Sequence, residues 1–195
     1  MLKRIFDITM SLLGLLILSP FLLLLALTIV IESKGGVFYK QTRVGKNNID
    51  FKLYKFRSMT IGSDKKGLLT VGNDARITKV GYYIRKYKLD EFAQLINVLI
   101  GNMSLVGPRP EVRKYVEMYN QEQLKVLNVK PGITDYASIE YFDENQILGE
   151  SKNPEETYIK DVMPHKLELN KKYIKNPSFS HDIKLIFKTL KIIIS

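Results

Sequence analysis

The stretch "LLILSPFLLLLAL" (residues 15–27) decides how this chain relates to its solvent. It lies inside a run from Ile8 to Ile31 that carries no charge, about 24 positions. As a helix rising about 1.5 Å per residue, such a run is long enough to cross a hydrocarbon core of about 30 Å. Yet Pro20 sits near its middle. Proline donates no backbone hydrogen bond, and lipid offers no water to replace the missing one. The hydroxyl of Ser19 can compensate in part by bonding back to a nearby carbonyl. Two geometries fit: a kinked helix that spans the bilayer, and a helix that bends at Ser19-Pro20 and returns to the face it entered from. The flanks are basic on both sides, with Lys3 and Arg4 before the run and Lys34, Lys40, Arg43 and Lys46 after it. Lys/Arg enrichment marks the cytoplasmic side, so neither end favours leaving it, and charge alone leaves both geometries open. A cleaved signal peptide fits poorly: its apolar region runs about 7–15 residues, and no small-residue cleavage pattern follows here. The run is expected to be a retained anchor.

Outside the anchor, the rest of the 195 residues suits one ordinary domain, and 26% charged with 45% hydrophobic residues argues for a packed core over disorder. Cysteine is absent, which removes disulfides and thiolate metal sites, and the two histidines, His165 and His181, lack zinc-site spacing. A net charge of +10 calls for an anionic partner. Beside a membrane anchor, anionic lipid and phosphorylated small molecules rank above nucleic acid. No helix-turn-helix, zinc-finger or RNA-recognition pattern is visible either.

Along the chain, residues 37–59 read as a β-hairpin turning at Gly45–Asn48, and residues 62–74 as a mobile Gly/Asp-rich loop. Thr78 is placed to cap a helix reaching about Tyr87. Asp90 is expected to open the next as its N-cap, with Phe92, Leu95, Ile96 and Leu99 on one face and Gly101 past its end. Pro110 is expected at the first position of a further helix, "KPGIT" (130–134) as a break, and Asn153-Pro154-Glu155-Glu156 as another helix start. In the last segment, Lys184, Lys188 and Lys191 share a face, which suits an interfacial helix or an ordinary amphipathic one.

Three clusters bear on chemistry. In "IRKYKLDEFAQL" (84–95), two adjacent acids follow Arg85, Lys86 and Lys88. Capping alone would explain them, since an Asp N-cap stabilises a helix by about 0.5–2 kcal/mol. The same geometry also suits chemistry, because a carboxylate among cations stays ionised and can attack phosphorus. A two-carboxylate glycosidase is disfavoured: its acids flank a bond from about 5–9.5 Å apart, whereas adjacent helical side chains diverge. In "VGPRPE" (106–111), Pro108 and Pro110 bracket Arg109 and restrict its backbone, presenting a guanidinium suited to bidentate phosphate binding, or simply a rigid turn. "YKFRSM" (54–59) puts Lys55 and Arg57 on one face of a strand.

"YKFRSM", the block "NDARITKVGYYIRKYKLDEFAQLINVLIGNMSLVGPRPE" and "KPGIT", in this order and spacing, resemble the bacterial sugar transferases, the small monotopic phosphoglycosyl transferases; the Ser19-Pro20 break belongs to the same pattern. The resemblance covers nearly the whole chain. It implies an α+β fold with a re-entrant N-terminal membrane helix (1–34), a small β-hairpin and several amphipathic helices packed at the membrane surface in a catalytic domain (35–195). That domain would lie on the cytoplasmic face of the bacterial inner membrane. It implies transfer of a phospho-sugar from a UDP-sugar to polyprenyl (undecaprenyl) phosphate with release of UMP, the first membrane step of a surface glycan pathway. Asp90 would be the nucleophile, Glu91 its partner in metal binding or proton handling, and Mg²⁺, held by Asp90 and Glu91, the cofactor. Lys55, Arg57, Arg85 and Arg109 fall on phosphate-binding positions, and Ser19 and Pro20 on the bend. The chain departs from the family in Phe92-Ala93 and Ala75, where proline is frequent, and in "YFDEN" (141–145), where a basic residue is frequent; no role is carried over to that segment. The competing reading is a non-catalytic basic scaffold at the membrane surface, which accounts for anchor and charge but not for acids set among arginines.

Overall fold

A computed structural model of the chain describes residues 1–63, 67, 69–71 and 74–194. Helix α1 runs unbroken from Leu2 to Glu32 with Pro20 inside it. Pro20 has no N–H for the carbonyl of Leu16, one turn back, and the Ser19 hydroxyl donates to that same carbonyl at 2.8 Å. By length and composition α1 can cross a membrane. One side of it is exposed and apolar, including Leu12, Leu16, Leu23 and Leu27.

The other side docks on the domain along its whole length. Near the N-terminus, Lys3 pairs with Asp182 at 2.5 Å, and Arg4 donates to the carbonyls of Val98 and Leu99. Asp7, buried, accepts from the Ser104 hydroxyl and the Leu105 N–H. Near the C-terminus, Leu22, Leu25 and Ile29 enter a core cluster with Phe56, Ile84 and Ala93. The Arg57 guanidinium donates to the carbonyls of Ile29, Ser33 and Lys34. The last carbonyls of a helix have no partner within it, and a five-donor fork is suited to collect them.

The expected hairpin is present: β1 (Phe38–Val44) pairs antiparallel with β2 (Asp50–Phe56) in register Val44 to Asp50. Of the expected loop 62–74, residues 64–66, 68, 72 and 73 lie outside the described residues. Helix α2 (Lys79–Lys86) begins as expected at Thr78, whose hydroxyl accepts from the Gly81 N–H. Glu32 of α1 accepts the Val80 N–H in the same first turn.

Two expected helix starts are corrected. Asp90 is not an N-cap: Lys88 turns the chain in the left-handed region (φ 52°), and Asp90 lies within a 3₁₀ segment, Leu89–Ala93, that leads into α3 (Gln94–Ile100). Its carboxylate accepts from a side chain of β2 instead of from its own helix. Gly101 ends α3 in the left-handed region, as expected. Pro110 does not open a helix either. Val112 precedes α4 (Arg113–Val116), while the Pro108 carbonyl accepts from the Gly132 N–H and the Pro110 carbonyl from the Arg43 guanidinium.

"KPGIT" is not a break but contains a strand. β4 (Gly132–Thr134) runs parallel to β3 (Ser104–Val106). The two chains approach so closely that a Cβ on Gly132 would lie 2.1 Å from the Gly107 nitrogen, so only glycine fits there. Beyond β4 come α5 (Tyr136–Glu140), α6 (Glu144–Gly149) and α7 (Pro154–Thr157); Pro154 takes the first position of α7, although the Asn153 side chain makes no cap bond. A π-helical turn, Tyr158–Val162, joins α7 to α8 (Met163–Lys175), and α9 (Phe179–Ile194) closes the chain. A second core gathers Val112, Tyr115, Val126, Leu148, Tyr158 and Leu167. The architecture is α+β: two small two-stranded sheets among helices, with one long apolar helix laid across them.

Candidate active site

The 3₁₀ segment carrying Asp90 and Glu91 is pressed against the end of β2. Asn97, three residues into α3's first turn, fixes that contact. Its amide donates to the Lys52 carbonyl at 2.7 Å and its side-chain oxygen accepts the Tyr54 N–H at 2.9 Å, so one side chain completes the free edge of β2. Lys55 then meets Asp90, Nζ to Oδ2, at 3.1 Å. Asp90 is 5% exposed. Its second oxygen, Oδ1, has no hydrogen-bond partner among the described residues, and the residue lines a cavity of about 1130 Å³.

Glu91 pairs with Arg109 in a two-pronged contact, Nη2 to Oε1 at 2.5 Å and Nη1 to Oε2 at 3.1 Å. Burial pushes the Glu91 carboxyl up, but Arg109, Lys55 and Lys88 outweigh it and hold it at about 2. Glu91 in turn raises Arg109, against its burial. The proline-bracketed turn does present its arginine rigidly: the Arg109 N–H is received by buried Asp135 at 3.0 Å, and the β3–β4 pair stands directly behind it. Both acids are therefore paired with a cation, and both line the cavity.

The sequence-predicted cations separate. Lys55, Arg85 and Arg109 line the cavity with the two acids. Arg85 makes no hydrogen bond or salt bridge among the described residues, and its charge helps hold Asp74 low after the dominant hydrogen bond from Arg76. Arg57 also borders the cavity, but its guanidinium is spent on the end of α1, one residue past the end of β2. Ser19 and Pro20 lie in α1, where the hydroxyl substitutes for the missing donor.

Sequence reasoning gave no role in the site to two residues here, Lys88 and Phe142. Lys88 reaches the Phe142 carbonyl at 3.1 Å and stands 4.7 Å from that ring's centroid, which brings the segment 141–145 over the acids. The signals were a lysine two positions before Asp90 and an aromatic in "YFDEN". Next to them Glu144 pairs with Lys166 at 2.6 Å.

From this charged end the cavity continues along apolar walls, with Met10, Gly14 and Leu18 of α1 on one side and Ile186, Phe187 and Leu190 of α9 on another. Among the described residues no three of His, Cys, Asp and Glu gather into a cage. Two neighbouring carboxylates with unused lone pairs do fit a Mg²⁺ that keeps several waters and takes its remaining ligands from a substrate phosphate.

Fold and site define a class: a small α+β domain laid on an apolar helix, with a carboxylate–cation cluster where a polar cavity turns apolar. The chain belongs to the bacterial sugar transferase family, whose family model matches residues 1–195. It is 38% identical over 197 residues to a UDP-N-acetylgalactosamine-undecaprenyl-phosphate N-acetylgalactosaminephosphotransferase of Aeromonas hydrophila, covering 99% of this chain and 44% of that one. It is 40% identical to a UDP-glucose:undecaprenyl-phosphate glucose-1-phosphate transferase of Escherichia coli (strain K12), covering 97% of this chain and 39% of the relative. An uncharacterized sugar transferase, EpsL, of Bacillus subtilis (strain 168) is 38% identical, with 97% of this chain and 86% of that protein covered. The chain thus spans less than half the length of the first two relatives.

Proposed function

We propose that this chain is a phosphoglycosyl transferase that moves a phospho-sugar from a UDP-sugar to undecaprenyl phosphate and releases UMP. The observation that carries this reading is Asp90, a buried carboxylate lining the cavity, with one oxygen held by Lys55 and the other without a hydrogen-bond partner among the described residues. In the first step Asp90 Oδ1 attacks the β-phosphorus of the UDP-sugar. The bond from that phosphorus to the bridging oxygen breaks, and UMP departs with the electron pair, leaving an aspartyl-phospho-sugar. In the second step a phosphate oxygen of the polyprenyl acceptor attacks the same phosphorus and the Asp90 carboxylate leaves. Splitting the reaction this way keeps two anionic substrates from meeting in one crowded site. Arg109, Arg85 and Lys55 offset charge on the transferring group in both steps. Mg²⁺ held by Asp90 and Glu91 would neutralise the diphosphate. The apolar walls from α1 and α9 suit the acceptor's hydrocarbon chain.

The helix α1 is proposed to enter and leave the membrane on one side, with the domain on the cytoplasmic face of the inner membrane. Support comes from its two ends, both tied to the same domain by Lys3, Arg4 and Asp7 at one end and by Glu32 and Arg57 at the other. A scaffold would have no use for a buried, half-open carboxylate.

The test is UMP release by purified protein from a panel of UDP-sugars with no lipid acceptor present. A burst approaching one equivalent, with a matching phospho-sugar adduct on intact-protein mass spectra, is expected. UMP appearing only with polyprenyl phosphate and no adduct would establish direct transfer and reduce Asp90 to a supporting role.

A further inference from the structure

The charges around Asp90 and Glu91 do not cancel. Asp90 pairs with Lys55 and Glu91 with Arg109, each acid to one cation. Lys88 stands in the field of all four and has no carboxylate of its own. An ammonium carries three donors. One goes to the Phe142 carbonyl at 3.1 Å, and the others have no partner among the described residues. The left-handed backbone at Lys88 is uncommon for a residue with a side chain, and here it directs the chain into the segment that bears both acids. Lys88 also lines the same cavity as Asp90, Glu91 and Arg109. Lys55 and Arg109 each already face an acid, so Lys88, like Arg85, is a cation lining this cavity without a carboxylate of its own, and its charge is left for an incoming anion.

We propose that Lys88 is a further phosphate-binding residue of this site, its ammonium meeting the diphosphate of the nucleotide-sugar. The inference rests on the reading that the cavity takes a nucleoside diphosphate. It adds that Phe142 and the segment 141–145 are positioned by the same ammonium, so the strap over the acids and the anion share one side chain. The bland alternative is that Lys88 only ties down Phe142.

Lys88→Gln separates the two, because an amide keeps a donor for the Phe142 carbonyl but removes the charge. The measurement is a UDP titration by calorimetry on the full chain in detergent with MgCl₂, with uridine titrated in parallel. We expect the UDP affinity of K88Q to fall about tenfold, close to 1.4 kcal/mol, with uridine binding unchanged and Lys88→Arg staying near wild type. Lys88→Met, which removes charge and donor alike, serves as a second neutral variant, and its UDP affinity is expected to fall at least as far. UDP affinity unchanged in both neutral variants, or no UDP binding by the wild type, overturns the proposal. UMP release from UDP-sugars by the wild type tests the transferase reading separately, so loss of that activity with an intact Lys88 effect on UDP would sink one and not the other.

Discussion

Two buried aspartates invite comparison. Asp7, on the long apolar helix α1, is 3% exposed, and Asp90, beside the cavity, is 5% exposed. Burial does not tell them apart; the state of their lone pairs does. Both oxygens of Asp7 accept from β3, Oδ2 from the Ser104 hydroxyl at 2.8 Å and Oδ1 from the Leu105 N–H at 3.1 Å. That carboxylate is closed, and its work is to fasten α1 to a strand. Asp90 has one oxygen on an ammonium and one facing the cavity. A closed carboxylate is a fastener; the half-open one, set among cations, is the proposed reagent.

The comparison breaks most sharply at Asp90→Asn. The change keeps size and shape but removes the nucleophile, so the acceptor-independent UMP burst should vanish, a loss of at least about a thousandfold, or 4 kcal/mol on the barrier. The melting temperature should barely move. A burst surviving in D90N would place the reagent elsewhere.

Arg109→Lys is expected to come next. Lysine retains the charge but cannot reproduce the two-pronged contact with Glu91. Hydrogen bonds between charged groups contribute about 1.5–3 kcal/mol, so a fall in kcat/KM of about 10- to 100-fold follows. An unchanged kcat/KM would show Arg109 to be a turn residue only.

Asp7→Ala should have the smallest effect on chemistry and a visible one on the fold. It leaves the Ser104 hydroxyl and the Leu105 N–H without an acceptor in a buried seam, at about 1–3 kcal/mol each way the seam relaxes. Denaturant unfolding in detergent should register the loss while activity per folded molecule stays near wild type. A large drop in activity at full stability would erase the distinction between the two aspartates.

Much of this site was readable from the residues. The hairpin followed from strand formers around a Gly-Asn turn, and the α2 cap from Thr78, because both depend on neighbours in sequence. The resemblance pointed to Asp90, Glu91 and Arg109 as one site, and the structure brings them together. What was not readable depends on distant partners. Capping rules assign Asp90 to its own helix, but Lys55, 35 positions earlier, takes its oxygen. Strand alternation groups Lys55 with Arg57, but the carbonyls of Ile29, Ser33 and Lys34 at the end of α1 draw Arg57 away. "GIT" has too few residues to announce a strand, and only its partner at Ser104–Val106 makes it one. Phe142 gains meaning solely from Lys88.

The two-ended attachment of α1 also bears on how the protein can be handled. Deleting residues 1–34 would strip Phe56, Ile84 and Ala93 of their apolar neighbours and leave the Arg57 guanidinium without the carbonyls it serves. It would also open the Ser104–Leu105 seam to solvent. Helix and domain share the core cluster around Phe56, Ile84 and Ala93, so they are expected to melt together. A soluble truncated version is therefore the wrong reagent for biochemistry. A version that keeps α1, extracted into a bilayer mimic from the outset, is the reagent to use.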